Sequence, residues 1–161
     1  MADDSSRAYA AGLTMLARRE LSEAQVRSRL ERKGYGEEDI DTAIARLKRE
    51  RAIDDRRTAL ACARTEVRVK QRGRPRVQRQ IESLGIAPRV AREAVTEVFA
   101  DLDEGHLLEQ ALDKRLRRGS LADRAAAGRI RRYLLVQGFD PAEIAAALRK
   151  RSTQARIADD D

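Results

Sequence analysis

The chain has 161 residues, of which 38% are charged and 3% aromatic, with no Trp, a single Cys and a net charge of +7. That composition excludes a thick aromatic core and an internal disulfide, and no run approaches the ~18 apolar residues of a membrane span. Ala, Leu, Arg and Glu dominate, all good helix formers, so thin layers of helix are expected.

The start, Met1-Ala2-Asp3-Asp4, lacks the charged-then-apolar order of a signal peptide, so a soluble cytoplasmic protein is expected. Acids gather at both ends, with Asp3 and Asp4 in one expected flexible tail (1–6) and Asp159, Asp160 and Asp161 in the other (152–161). Without these five, 34 basic residues stand against 22 acids, and the middle carries +12. Only five of the cations are Lys, and the Arg bias suits phosphate and carboxylate recognition. The balance implies attraction to nucleic acid or to an acidic protein surface.

In chain order, a first helix is predicted from Tyr9 to Arg19, with Leu13 and Leu16 apolar. Ser22 caps a second, in which Val26 and Leu30 form an i,i+4 pair. It ends at Gly34, a C′ residue, with Tyr35 folding back. Glu37, Glu38 and Asp39 open a third helix carrying Ile40, Ile44 and Leu47. A short charged link, Arg49 to Asp55, is expected to flex. The next helix runs from Arg57 to Arg72 and breaks at Gly73 and Pro75; Cys62 lies in its apolar stretch as a buried, inert thiol. Val77, Ile81, Gly85 and Ile86 repeat the second helix, and Pro88 suits a first turn. After a second flexible link, Ala100 to Gly105, a helix spans His106 to Arg118 and breaks at Gly119 and Ser120. Ile130, Leu134, Gly138 and Phe139 repeat the pattern once more. Asp140 caps a last helix with Pro141, Ile144 and Leu148.

The repetition is the informative feature. VRSRLERKGY, VQRQIESLGI and IRRYLLVQGF, starting at Val26, Val77 and Ile130, align without gaps at spacings of 51 and 53 residues. The expected fold is therefore all-α. Three tandem three-helix modules (7–50, 51–101 and 102–151) form an elongated row open to curvature, as a monomer without a sheet.

No catalytic constellation is present. His106 has no Cys or second His near it for a metal. There is no GxxxxGK[ST] loop, and Gly73-Arg74-Pro75 is a turn rather than a phosphate cradle. Asp54 and Asp55 are adjacent and do not face one another on a helix. Neither a cofactor nor a metal is expected, nor an enzyme.

The basic residues, by contrast, cluster. Arg64, Arg68, Lys70, Arg72, Arg74, Arg76 and Arg79 share their stretch with one acid, Glu66. Arg64, Arg68 and Arg72 are expected on one exposed helix face. Lys114, Arg115, Arg117 and Arg118 form a second cluster, and Arg129, Arg131 and Arg132 a third. A solvated surface is the bland account of any charge run. Like charges four apart cost stability, however, so their retention favours a polyanion-binding face. With few aromatics nearby, backbone-level binding of single- or double-stranded DNA, or an acidic protein partner, fits better than base stacking. Arg27, Arg29 and Arg32 of the first module are expected to matter less.

Several stretches, in order from Tyr9 to Arg149, resemble the RecX family. They are LARRELSEAQVRSRLERKGY (Leu16 to Tyr35), AIDDRRTALACAR (Ala52 to Arg64), Arg72-Gly73 with Arg76-Val77, Ala111-Leu112 with Lys114, and IRRYLLVQGFDPAEI (Ile130 to Ile144). Two positions depart. The family often has an aromatic where Thr58 stands and a basic residue where Gln137 stands. The resemblance implies a non-catalytic protein in the groove of the RecA–DNA filament, restraining RecA in DNA repair and the SOS response. A helix-turn-helix-like regulator of transcription or chromosome packing is the competing expectation.

Overall fold

The computed structural model describes residues 3–117, 121 and 124–159. Among them all regular structure is helical, without a strand. The order is α1 (Asp4–Leu16), α2 (Glu23–Arg32), α3 (Glu37–Arg49), α4 (Asp55–Arg68), α5 (Arg74–Glu82), α6 (Pro88–Phe99), α7 (Glu104–Leu116), α8 (Arg124–Val136) and α9 (Pro141–Asp159). The helices gather into two compact units, Met1–Cys62 with Gln80–Ala94 and Ala63–Arg79 with Val95–Asp161. Helices α4, α5 and α6 each run from one unit into the other.

In the first unit the Asp3 side chain accepts from Ser5 N, so α1 begins at Asp4 rather than Tyr9. It closes at Leu16 rather than Arg19, where the Ala17 and Arg18 amides bond back to Leu13 and Met15. Ser22 and Gln25 form a reciprocal capping box at the start of α2. Helix α3 has three acids in its first turn and three bases in its last, which suits the macrodipole. Ala8, Leu21, Val26, Leu30, Ile40, Ile44 and Leu47 make the shared core, and Tyr9 and Tyr35 pack on its edge.

The link after α3 is tied by hydrogen bonds to the helices on either side of it. The Ala52 and Ile53 amides both donate to Leu47 O, at 2.8 and 3.3 Å. The Arg57 guanidinium donates to the carbonyls of Arg51 and Ala52, at 3.0 and 3.2 Å, while Ile53 is buried. Thr58 is buried as well, and its hydroxyl donates to Asp54 O at 3.1 Å. Burial pushes the Asp55 carboxyl up from its usual range, even though it accepts the Glu23 amide.

In the second unit Leu107, Leu108, Ala111 and Leu112 of α7 are buried with Ile130 and Leu134 of α8 and Ile144 of α9. Helix α7 starts at Glu104 because Asp103 caps it by accepting from His106 N. Helix α9 reaches Asp159, well into the segment expected as a flexible tail. No Gly or Pro interrupts it after Pro141, and the Ser152 and Thr153 hydroxyls fold back onto the carbonyls of Leu148 and Arg149. Cys62 is half-buried rather than buried.

Gly34, Gly85 and Gly138 end their helices at positive φ, 86°, 78° and 91°. The Tyr35 amide bonds Leu30 O and the Gly34 amide bonds Glu31 O; Phe139 and Gly138 do the same with Leu134 O and Leu135 O. This is the paired bonding of a left-handed helix stop. Surroundings differ between the turns. A Cβ on Gly34 would meet open space, whereas one on Gly85 would collide with the Ala24 side chain. Gly34→Val should therefore cost about 1–2 kcal/mol of backbone strain. Gly85→Val should cost at least ~1 kcal/mol more, because it also overpacks. Urea unfolding of the two variants checks the difference, and equal losses would contradict it.

Candidate polyanion-binding site

The basic run from Arg64 to Arg79 is organised by its one acid. The Glu66 side chain is only 4% exposed. It pairs with Lys70 Nζ at 2.7 Å and with the Arg72 guanidinium. Arg72 Nε also donates to Gln137 Oε1 at 3.2 Å. Arg72 is thus an internal tie from the end of α4 to the end of α8, 17% exposed, rather than a member of the open face with Arg64 and Arg68. The reason is local. Helix α4 stops at Arg68 and Gln71 takes a φ of 48°, so spacing by four no longer places Arg72 on the same side.

Other expected site residues also have internal duties. Arg74 Nε pairs with Glu104 at 2.6 Å, and its guanidinium lies 4.9 Å from the centre of the Phe99 ring. Lys114 Nζ donates to Val69 O at 2.9 Å and Gln71 Oε1 at 3.0 Å, a cation supplied to the carbonyl end of α4. Arg115 stacks over Tyr133 at 5.3 Å. Arg151, absent from the expected set, pairs with Glu109 and Asp113; the Glu109 bond raises its pKa above the ordinary value.

What remains open is a smaller set. Arg64, Arg68, Arg79, Arg117, Arg129, Arg131 and Arg132 are exposed, and none has an acid partner among the described residues. Arg76 is half-buried, and its Nε has no hydrogen-bond partner among the described residues. Arg118 lies outside the described residues. Arg68 lines two cavities of the second unit. One, of about 340 Å³, is lined by Arg64 and Arg68 together with Glu97, Asp101 and Leu102. The second, of about 400 Å³, is shared with Gln71, Gln110 and Arg117. Its Asp113 is already engaged by Arg151 at 2.6 Å.

Such a surface can bind phosphates or carboxylates through guanidinium forks. His106 is exposed and beside Gln110. No group of three His, Cys, Asp or Glu among the described residues is placed to hold a metal ion. No described helix is long and apolar enough to cross a membrane.

Fold and surface together define a class: an all-helical protein of repeated three-helix units with a basic, partly unpaired surface. Residues 8–47 match the family model described as "RecX, first three-helix domain". "Regulatory protein RecX" of Geobacillus kaustophilus is 34% identical over 150 residues, covering 91% of this chain and 55% of that protein. The chain thus spans about half the length of that relative. "Regulatory protein RecX" of Pelodictyon phaeoclathratiforme is 30% identical over 140 residues, covering 85% of this chain and 84% of that protein. The crystal structure of RecX from Lactobacillus salivarius superposes with a TM-score of 0.75 at 23% identity, over 93% of this chain and 97% of that one. The chain belongs to the RecX family of regulatory proteins.

Two residues of the site escaped the sequence reading, Glu66 as organiser and Gln137 as acceptor. The signal for Glu66 was present: a lone acid in a basic run, on a helix face shared with Val67's neighbours in the core. The two kinds of arginine should separate in stability. Arg72→Ala breaks a pair with a buried carboxylate and should cost about 2–4 kcal/mol. Arg68→Ala, on the open surface, should stay within about 0.5 kcal/mol. Urea midpoints at neutral pH decide, and similar losses would mean that Arg72 is no tie.

Proposed function

We propose that this chain binds the RecA–DNA filament and restrains it, lowering RecA's ATPase and strand exchange without turnover of its own. The observation that carries the reading is membership of the RecX family together with a set of arginines that have no ion pair among the described residues. Arg64 and Arg68 on α4, Arg117 after α7, and Arg129, Arg131 and Arg132 on α8 belong to the same compact unit. Arg76 adds a guanidinium whose Nε lacks an internal acceptor among the described residues. A chain with several such points can touch more than one filament subunit, and linked weak contacts raise affinity through effective concentration. The proposed setting is the bacterial cytoplasm, and the proposed active form a monomer.

In the first module the helix-turn-helix alternative is less well supported. A helix that follows a turn into the major groove reads bases with its first residues. Helix α3 begins with Glu37, Glu38 and Asp39, and its Asp41 is occupied by Arg27 at 2.6 Å. Carboxylates at that end repel the phosphates on either side of the groove.

Arg72 and Arg76 are poor choices for testing the open face, because one is a tie and the other is half-buried. Changing Arg64, Arg68 and Arg117 together to Ala should raise the concentration needed to inhibit RecA's DNA-dependent ATPase about tenfold, at roughly 0.5 kcal/mol per contact. Circular dichroism should be unchanged. Inhibition by the unaltered protein should weaken steeply with added salt. Undiminished inhibition by the triple variant would remove this surface from the mechanism, and no inhibition by the unaltered protein would remove the RecA reading.

A further inference from the structure

The first unit holds its own concentration of cations without an ion pair among the described residues. Helices α1 and α2 end side by side at a cavity of about 510 Å³. Ala11 and Met15 contribute apolar walls, and Arg18, Arg19, Arg29 and Lys33 stand around them. Arg29 also lines an adjoining cavity of about 380 Å³, with Arg32, Gln25 and Ser28. No Asp or Glu lines either space among the described residues. Burial, and then the like charges of Arg19 and Arg32, pull the Arg29 pKa below its ordinary value.

Helix C-termini attract cations, and this is the ordinary explanation for such a group. It is too small here. Each terminus carries roughly half a negative charge, so two ends offset about one of the five positive charges of Arg18, Arg19, Arg29, Arg32 and Lys33. The remainder repels itself, at a cost that an external anion would relieve.

We propose that this cleft is a docking site for an acidic peptide segment that places an apolar side chain between its carboxylates. The apolar walls favour a peptide over nucleic acid. A phosphate gains nothing from Ala11 or Met15, and no aromatic side chain lines the space for a base to stack on. Carboxylates suit the guanidinium forks at the rim, and a Leu or Phe side chain fills the space beneath them. The two cavities have Arg29 in common in their linings, which suits an extended segment better than a single ion.

The test is fluorescence anisotropy of the full chain with a labelled Asp-Asp-Leu-Phe-Asp-Asp peptide. Binding should weaken about tenfold in Arg18→Gln/Arg19→Gln, whose positions are exposed, and again about tenfold in Arg29→Gln. It should be lost when Asn replaces every Asp of the peptide, and should persist in the Arg64, Arg68 and Arg117 triple variant. Equal binding of the Asn peptide, or indifference to the arginine changes, would overturn the proposal. So would displacement by oligothymidylate at lower concentration than by unlabelled peptide, which would make the cleft a phosphate site.

Discussion

The junction that recurs in this molecule is a hydrogen bond to the carbonyl just before a left-handed glycine. In the first unit that carbonyl belongs to Leu84, ahead of Gly85, and it accepts from the hydroxyl of Ser22, the cap of α2. In the second it belongs to Gln137, ahead of Gly138, and it accepts from the amide of Gly73, the residue before α5, at 2.9 Å. Ser22 and Gly73 are equivalent positions of the repeat, as are Leu84 and Gln137. The donor changes from side chain to backbone because space differs: a Cβ on Gly73 would strike the Gly138 carbonyl. Each of these two glycine turns therefore does two things. It ends its own helix, and it closes on the start of the middle helix one repeat earlier, where orphan amides need partners.

Once that junction is in place, the arginines near it cannot all face solvent. Arg72 precedes Gly73, and the left-handed Gln71 turns it toward α8. A guanidinium brought there needs a carboxylate, and Glu66 supplies one from two turns earlier on α4. Lys114 meets the carbonyls left open where α4 stops early. The basic run thus divides by position relative to the junction. Residues before the end of α4, Arg64 and Arg68, stay outside, and those around the turn are drawn in.

Much of the fold was legible in advance because it is written in local terms. Val26, Leu30, Val77, Ile81, Ile130 and Leu134 repeat at helical spacing, and the glycines mark where each helix must stop; all six apolar residues are buried. Helix ends were less legible. Asp3 and Asp103 start α1 and α7 before the first apolar residue of either pattern. The site was least legible, since its division rests on partners far apart in the chain. Arg74 finds Glu104, Arg72 finds Gln137 and Lys114 finds Val69. No periodicity within a single helix announces such pairs. Spacing identified which residues were basic and clustered, and only tertiary packing decided which of them were spent internally.

The same junction bears on the cleft in the first unit. Lys33 and Gly34 occupy the repeat positions of Leu84 with Gly85 and of Gln137 with Gly138. In those two cases the turn is covered by an earlier helix start. Around Gly34 nothing lies within 4 Å of where a Cβ would be, among the described residues. The turn is therefore left with its cations, and Lys33 borders a cavity instead of a packed seam. Burial against a neighbouring helix would have required those charges to be paired or removed. An uncovered turn carries no such requirement, so Arg18, Arg19, Arg29 and Lys33 can stand around this cavity with no acid in its lining.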